Sequence, residues 1–105
     1  MSIINRLQKE LNELNTEYYS IIQTNNKMNW IIKIKHKNKI YETHILFSNK
    51  YPYYAPIIKF NNIINHPKIS NDGNINIDIL NKNWMPITKL NQIYKLIFDL
   101  LDEIN

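Results

Sequence analysis

The sequence predicts an α+β domain: a helix at each end, a four-stranded antiparallel meander between them, and a long ordered loop before the last helix. Three observations carry this reading. Apolar residues recur at helical spacing over residues 3–14 and again beyond Thr88. Between Thr16 and Lys59 the chain instead runs in short β-branched and aromatic stretches broken by Asn, Lys and Pro. From Phe60 to Thr88 neither helical nor strand patterning dominates, and an ordered connection of that length in a compact domain is expected to be functional. With 105 residues the chain suffices for one modest core and a single domain.

In the first helix Ile3, Ile4, Leu7, Leu11 and Leu14 make the apolar stripe, while Arg6, Lys9, Glu10 and Glu13 fall elsewhere. The strands are read as EYYSIIQ, NWIIKIKH, KIYETHILF and APIIKF, separated by TNNKM and KNK and by Pro52 and Pro56. Ile32 and Ile34 alternate with Lys33 and Lys35, so the sheet is expected to have one dry face and one wet face. The last helix places Leu90, Ile93, Leu96, Ile97, Leu100, Leu101 and Ile104 at helical spacing, with Thr88 as its expected N-cap. A helix that apolar must pack on the sheet. No internal repeat, linker or low-complexity tail interrupts this order.

Within the long connection, His66 to Leu80 reads HPKISNDGNINIDIL. Ile75, Ile77 and Ile79 alternate with Asn76 and Asp78 after the Asn71-Asp72-Gly73 turn signal, which predicts a half-buried strand with Asn76 and Asp78 on its open face. A side chain presented there either carries chemistry or is simply solvated.

Composition narrows the chemistry. The chain has no cysteine, which removes disulfides, thiolate metal sites and thiol nucleophiles together. His36, His44 and His66 share no metal-ligand spacing, so no metal is expected, and no motif calls for a cofactor. The net charge of +4 rests on 12 Lys and one Arg spread along the chain, a poor basis for base or phosphate readout, and nucleic-acid binding is not expected. No apolar run approaches the roughly 20 residues of a membrane span, and the amphipathic N-terminus is unlike a signal peptide. The chain is therefore read as soluble and intracellular, cytoplasmic or nuclear. Its heavy use of Ile, Asn and Lys follows a codon bias toward AT-rich DNA.

The residues YPYYAPIIKF, HPKISNDGNINIDIL and NWMP, together with RLQKELNEL near the N-terminus, resemble the core of the ubiquitin-conjugating enzymes over nearly the whole chain. The resemblance rests on Tyr51-Pro52, Pro56, His66-Pro67, Gly73, Ile75, Asp78, Trp84 and Pro86, whose spacing from Tyr51 onward fits without a gap. It implies a UBC-like fold and a place in ubiquitin or ubiquitin-like conjugation. Two positions depart from the pattern. Asn76 stands where the family's catalytic cysteine is expected, and Lys68, eight positions earlier, where its oxyanion-stabilising Asn is expected. An amide nitrogen, with its lone pair delocalised into the carbonyl, cannot hold an acyl group as a thiolate does. The chain also ends after the helix that follows the loop, where the family usually adds two more, and its hairpin between Trp30 and Tyr51 is shorter than usual. Such a trimmed core is expected to leave apolar surface that needs a use, or a partner that completes it.

The resemblance therefore implies an inactive conjugating-enzyme-like protein whose degenerate site comprises Asn76, Lys68, His66 and Asp78. His66 is expected to hold the loop through backbone hydrogen bonds and Asp78 to be solvated. Trp84 is read as a core or loop anchor. By the same resemblance, Pro52, Tyr53, Met85, Pro86 and Ile87, with Arg6 and Lys9 on the first helix, match the surface that meets RING-type ligases. Ordinary packing is the other role these loops could have. Expected partners are ubiquitin or a ubiquitin-like protein, an active conjugating enzyme, or a RING-type ligase, and the role is that of adaptor or decoy. One alternative is a subunit of a heteromeric conjugating complex whose partner brings the cysteine. Another is an RWD-type interaction domain, against which the spacing of His66-Pro67, Gly73 and Trp84-Met85-Pro86 speaks. A compact copy of this kind suits a virus or parasite that captured it.

Overall fold

The alternation of Ile with Lys over residues 32–35 becomes β2 (Asn29–His36), the spine of the sheet. In the computed structural model, which describes residues 3–104, β2 pairs with β1 (Tyr19–Gln23) on one side and β3 (Lys39–Leu46) on the other. β4 (Ile57–Phe60) pairs with β3, and all the neighbours are antiparallel in the order β1-β2-β3-β4. Lys37 and Asn38 turn the chain between β2 and β3 with φ of 47° and 66°, the left-handed pair that a two-residue hairpin needs to match strand twist. Helices α1 (Ile3–Asn12) and α2 (Leu90–Leu101) complete the expected α+β layer arrangement.

One face of the sheet is dry. Trp30, Ile32 and Ile34 of β2, Ile45 of β3, and Ile58 and Phe60 of β4 are buried beneath Ile93, Tyr94 and Ile97 of α2, with Leu7 and Leu11 of α1 closing the same core. Thr43, a polar residue on this face, is satisfied twice: its hydroxyl donates to the Ile32 carbonyl (2.7 Å) and lies 2.8 Å from the Tyr94 hydroxyl, which donates to it.

Three expectations about the helices change. Thr88 is buried and Lys89 is the N-cap residue of α2, its N–H donating to the Gln92 side chain (2.8 Å). Leu96, assigned to the apolar face, is 43% exposed, while Tyr94 is fully buried; the helix leans toward the sheet on its Tyr94 side. Glu10, expected off the apolar stripe, is only 4% exposed, because it lies one turn from Leu7 on the same side of α1, which ends at Asn12, short of Leu14.

Candidate functional site

The segment from His66 to Leu80 is built against the outer edge of β4. Phe60 N–H donates to the Gly73 carbonyl (2.8 Å) and Ile75 N–H to the Ile58 carbonyl (3.2 Å). Gly73 is obligatory at this approach: its φ is +91°, and an added Cβ would overlap the Phe60 carbonyl oxygen. The strand expected over residues 75–79 does not form. Continuing the Lys59–Asn74 pairing would set Pro56 opposite Ile77, and proline has no N–H to give. The chain instead curls into a 3-10 turn at Asp78–Leu80. The alternation survives all the same, with Ile75 and Ile77 buried and Asn76 and Asp78 exposed.

Asn76, Lys68 and His66 form one hydrogen-bonded unit. Asn76 N–H donates to the Lys68 carbonyl (2.7 Å), and Lys68 N–H donates to His66 Nδ1 (3.0 Å). The Asn76 side chain is held from the other side, its Oδ1 accepting from Asn81 Nδ2 (2.9 Å). His66 is buried, and its Nε2 lies 2.7 Å from Glu103 Oε2, in the turn that follows α2. A shallow groove runs from Asn76 along α2, with Asp78, Asp99 and Glu103 on its rim and Ile77, Leu96 and Leu100 among its apolar lining. Asp78 is solvated, 3.7 Å from Lys82 Nζ. Among the described residues no group of three or more His, Asp or Glu is placed to hold a metal ion.

A second surface lies beyond the other end of α2. Arg6 Nη2 donates to the Pro86 carbonyl (2.6 Å), and Trp84 Nε1 donates to the Pro52 carbonyl (2.9 Å), so α1 and both loops are tied together. Lys9 and Ile87 line one hollow on this surface. Tyr53, Met85 and Ile87 are 75%, 55% and 77% exposed. Beneath them Glu10 accepts from the Tyr51 hydroxyl (2.9 Å) and from Arg6 Nε (3.0 Å). Burial, followed by the charge of Glu10, pushes the Tyr51 phenol well above its ordinary range, against the opposing pull of Arg6.

The family model described as ubiquitin-conjugating enzyme matches residues 6–105. The chain belongs to the ubiquitin-conjugating enzyme family. It is similar to an Arabidopsis thaliana protein named probable NEDD8-conjugating enzyme, 32% identical over 109 residues that cover 95% of this chain and 59% of the relative. A probable ubiquitin-conjugating enzyme of Acanthamoeba polyphaga mimivirus is 33% identical over 118 residues, covering 99% of this chain and 75% of the relative. This chain thus spans little more than half the length of its plant relative. Among solved structures, a human ubiquitin-conjugating enzyme superposes with a TM-score of 0.82 at 26% identity, covering 96% of this chain and 93% of that one. A Plasmodium falciparum ubiquitin-conjugating enzyme gives a TM-score of 0.84 at 23% identity, covering 95% and 84%.

Within this ubiquitin-conjugating fold, Asn76, Lys68 and His66 come together by hydrogen bonds, and Asn76 and Lys68 share the groove with Asp78, while Arg6, Lys9, Pro52, Tyr53, Pro86 and Ile87 gather on the second surface, with Met85 reaching the groove as well. Sequence reasoning passed over Glu10, Glu103 and the groove residue Leu96. For Glu10 a local signal existed, its i+3 and i−4 spacing to Leu7 and Leu14. Glu103 had none, since its partner His66 lies 37 residues away.

Proposed function

We propose that this chain is a non-transferring member of the ubiquitin-conjugating enzyme family, a binding module in ubiquitin or ubiquitin-like conjugation. The carrying observation is Asn76: an amide held by Asn81 at the exposed point of the loop, in a chain without any cysteine. Forming a thioester needs a thiolate that attacks the acyl carbonyl and later leaves; a carboxamide does neither. The groove, with carboxylates at its rim and apolar residues beneath, suits noncovalent retention of an extended segment of a modifier such as ubiquitin or NEDD8. Tyr53, Met85 and Ile87, backed by the Arg6–Pro86 contact, supply a rigid apolar surface for a RING-type ligase or an active conjugating enzyme. As adaptor or decoy, the module engages these partners without carrying the acyl group.

The test is a charging assay with activating enzyme, ATP and ubiquitin, read on a non-reducing gel, comparing the native chain with the Asn76→Cys, Lys68→Asn double variant. The native chain is expected to form no thiol-sensitive adduct and the double variant to form one. An adduct on the native chain overturns the proposal. Acceleration of transfer when the native chain is added to a charged, active conjugating enzyme would favour a heteromeric conjugating complex over a decoy. Absence of binding to ubiquitin, to active conjugating enzymes and to RING domains alike would remove the adaptor role.

A further inference from the structure

We propose that Glu103 is a positioning residue for the Asn76 site, acting by holding His66 in the tautomer with its proton on Nε2. The buried His66 ring is addressed from two sides. Its Nδ1 faces the Lys68 N–H at 3.0 Å, which is a donor only, so Nδ1 must present a lone pair. Its Nε2 faces Glu103 Oε2 at 2.7 Å, an acceptor, so Nε2 carries the proton. The other tautomer would set two N–H donors against each other at Lys68 and turn a lone pair toward the carboxylate. The consequence reaches the site directly, because the Lys68 carbonyl accepts the Asn76 N–H at 2.7 Å. Glu103, His66, Lys68 and Asn76 thus form one line of contacts from the turn after α2 to the exposed asparagine.

Two features separate this role from ordinary packing. The Glu103 side chain is 61% exposed while that of His66 is 6% exposed, so the carboxylate adds little to the core and acts on the imidazole through one directed bond. The turn that carries it is itself fixed: the neighbouring Asp102 meets the buried His36 Nε2 at 2.6 Å and Lys37 Nζ at 3.5 Å, and Glu103 N–H donates to the Leu100 carbonyl (3.0 Å). The inference goes beyond the proposed binding role, since it concerns how the site is held whatever it binds.

The experiment uses the full chain labelled with nitrogen-15. Long-range proton–nitrogen spectra report the tautomer of His66, and amide exchange reports the Asn76 N–H. The native chain is expected to show Nε2 protonated. Glu103→Gln keeps a carbonyl acceptor at the same place and is expected to retain that tautomer, with Asn76 exchange within about twofold of native. Glu103→Ala is expected to populate the second tautomer and to speed Asn76 exchange roughly 3- to 10-fold, the span of one modest hydrogen bond. A native His66 protonated on Nδ1 overturns the proposal. So does a Glu103→Ala protein that loses stability while His66 stays protonated on Nε2 and Asn76 exchange is unchanged, which would mark a merely structural contact.

Discussion

The Glu10 carboxylate on α1 caps α2: its Oε1 accepts the Leu90 N–H at 3.1 Å, across 80 residues of sequence. The first N–H groups of a helix have no partner within it, and a carboxylate there is favoured by the helix dipole as well as by the bond. The second oxygen of Glu10 accepts from Tyr51 and Arg6, so one buried side chain joins both helices to the loop that presents Tyr53.

Truncating that side chain leaves the Tyr51 hydroxyl and the Leu90 N–H without their acceptor. Glu10→Ala is expected to cost about 3 kcal/mol of stability, and Glu10→Gln, which keeps an acceptor, about half as much. Urea unfolding measures both; a loss under about 0.5 kcal/mol for Glu10→Ala would show that water replaces the carboxylate freely.

Alkali should destabilise the fold. Burial pushes the Tyr94 phenol above its ordinary 10.0, and Tyr51 moves the same way. Above pH 10.0 the unfolded chain releases protons that the folded chain keeps, so stability is fully present below that value and falls as pH rises through it. Replacing Tyr94 by Phe should flatten this fall by up to about 1.4 kcal/mol per pH unit. Stability titrations from neutral pH into alkali check the slope, and equal slopes in the two proteins would contradict the argument.

At Gly73 the chain has no room for a side chain and the wrong φ for one. Gly73→Ala should cost roughly 2–3 kcal/mol and detach the loop from β4, speeding exchange of the Phe60 and Ile75 amides that pair across this edge. Native-like exchange at both amides would mean that β4 yields instead.

The exposed surface tests the binding role without touching the core. Tyr53→Ala and Ile87→Ala should each leave stability within about 0.5 kcal/mol, since both side chains are largely in water. Against a RING domain that binds the native chain, each is expected to weaken affinity about tenfold or more. Calorimetric titration distinguishes this from ordinary loop packing, for which affinity stays put and stability drops.

By itself the sequence determined what depends on near neighbours. The period of Ile4, Leu7 and Leu11 makes α1, the alternation of Ile32 and Ile34 with Lys33 and Lys35 makes β2 and its dry face, and Lys37-Asn38 makes the hairpin. It also marked Asn76 as exposed between two buried isoleucines, although the period of two belonged to an edge bridge and a 3-10 turn and not to a strand. Only the tertiary structure decided why: the register set by Lys59 and Asn74 would bring Pro56 opposite Ile77, and proline cannot continue the pairing. It likewise decided that Glu10 is buried as a cap for α2, that Tyr94 and not Leu96 faces the sheet, and that His66 meets Glu103. Each of these rests on a contact between segments far apart in the chain. Local periodicity encodes which side of an element is apolar; which distant polar group meets it is settled when the layers pack.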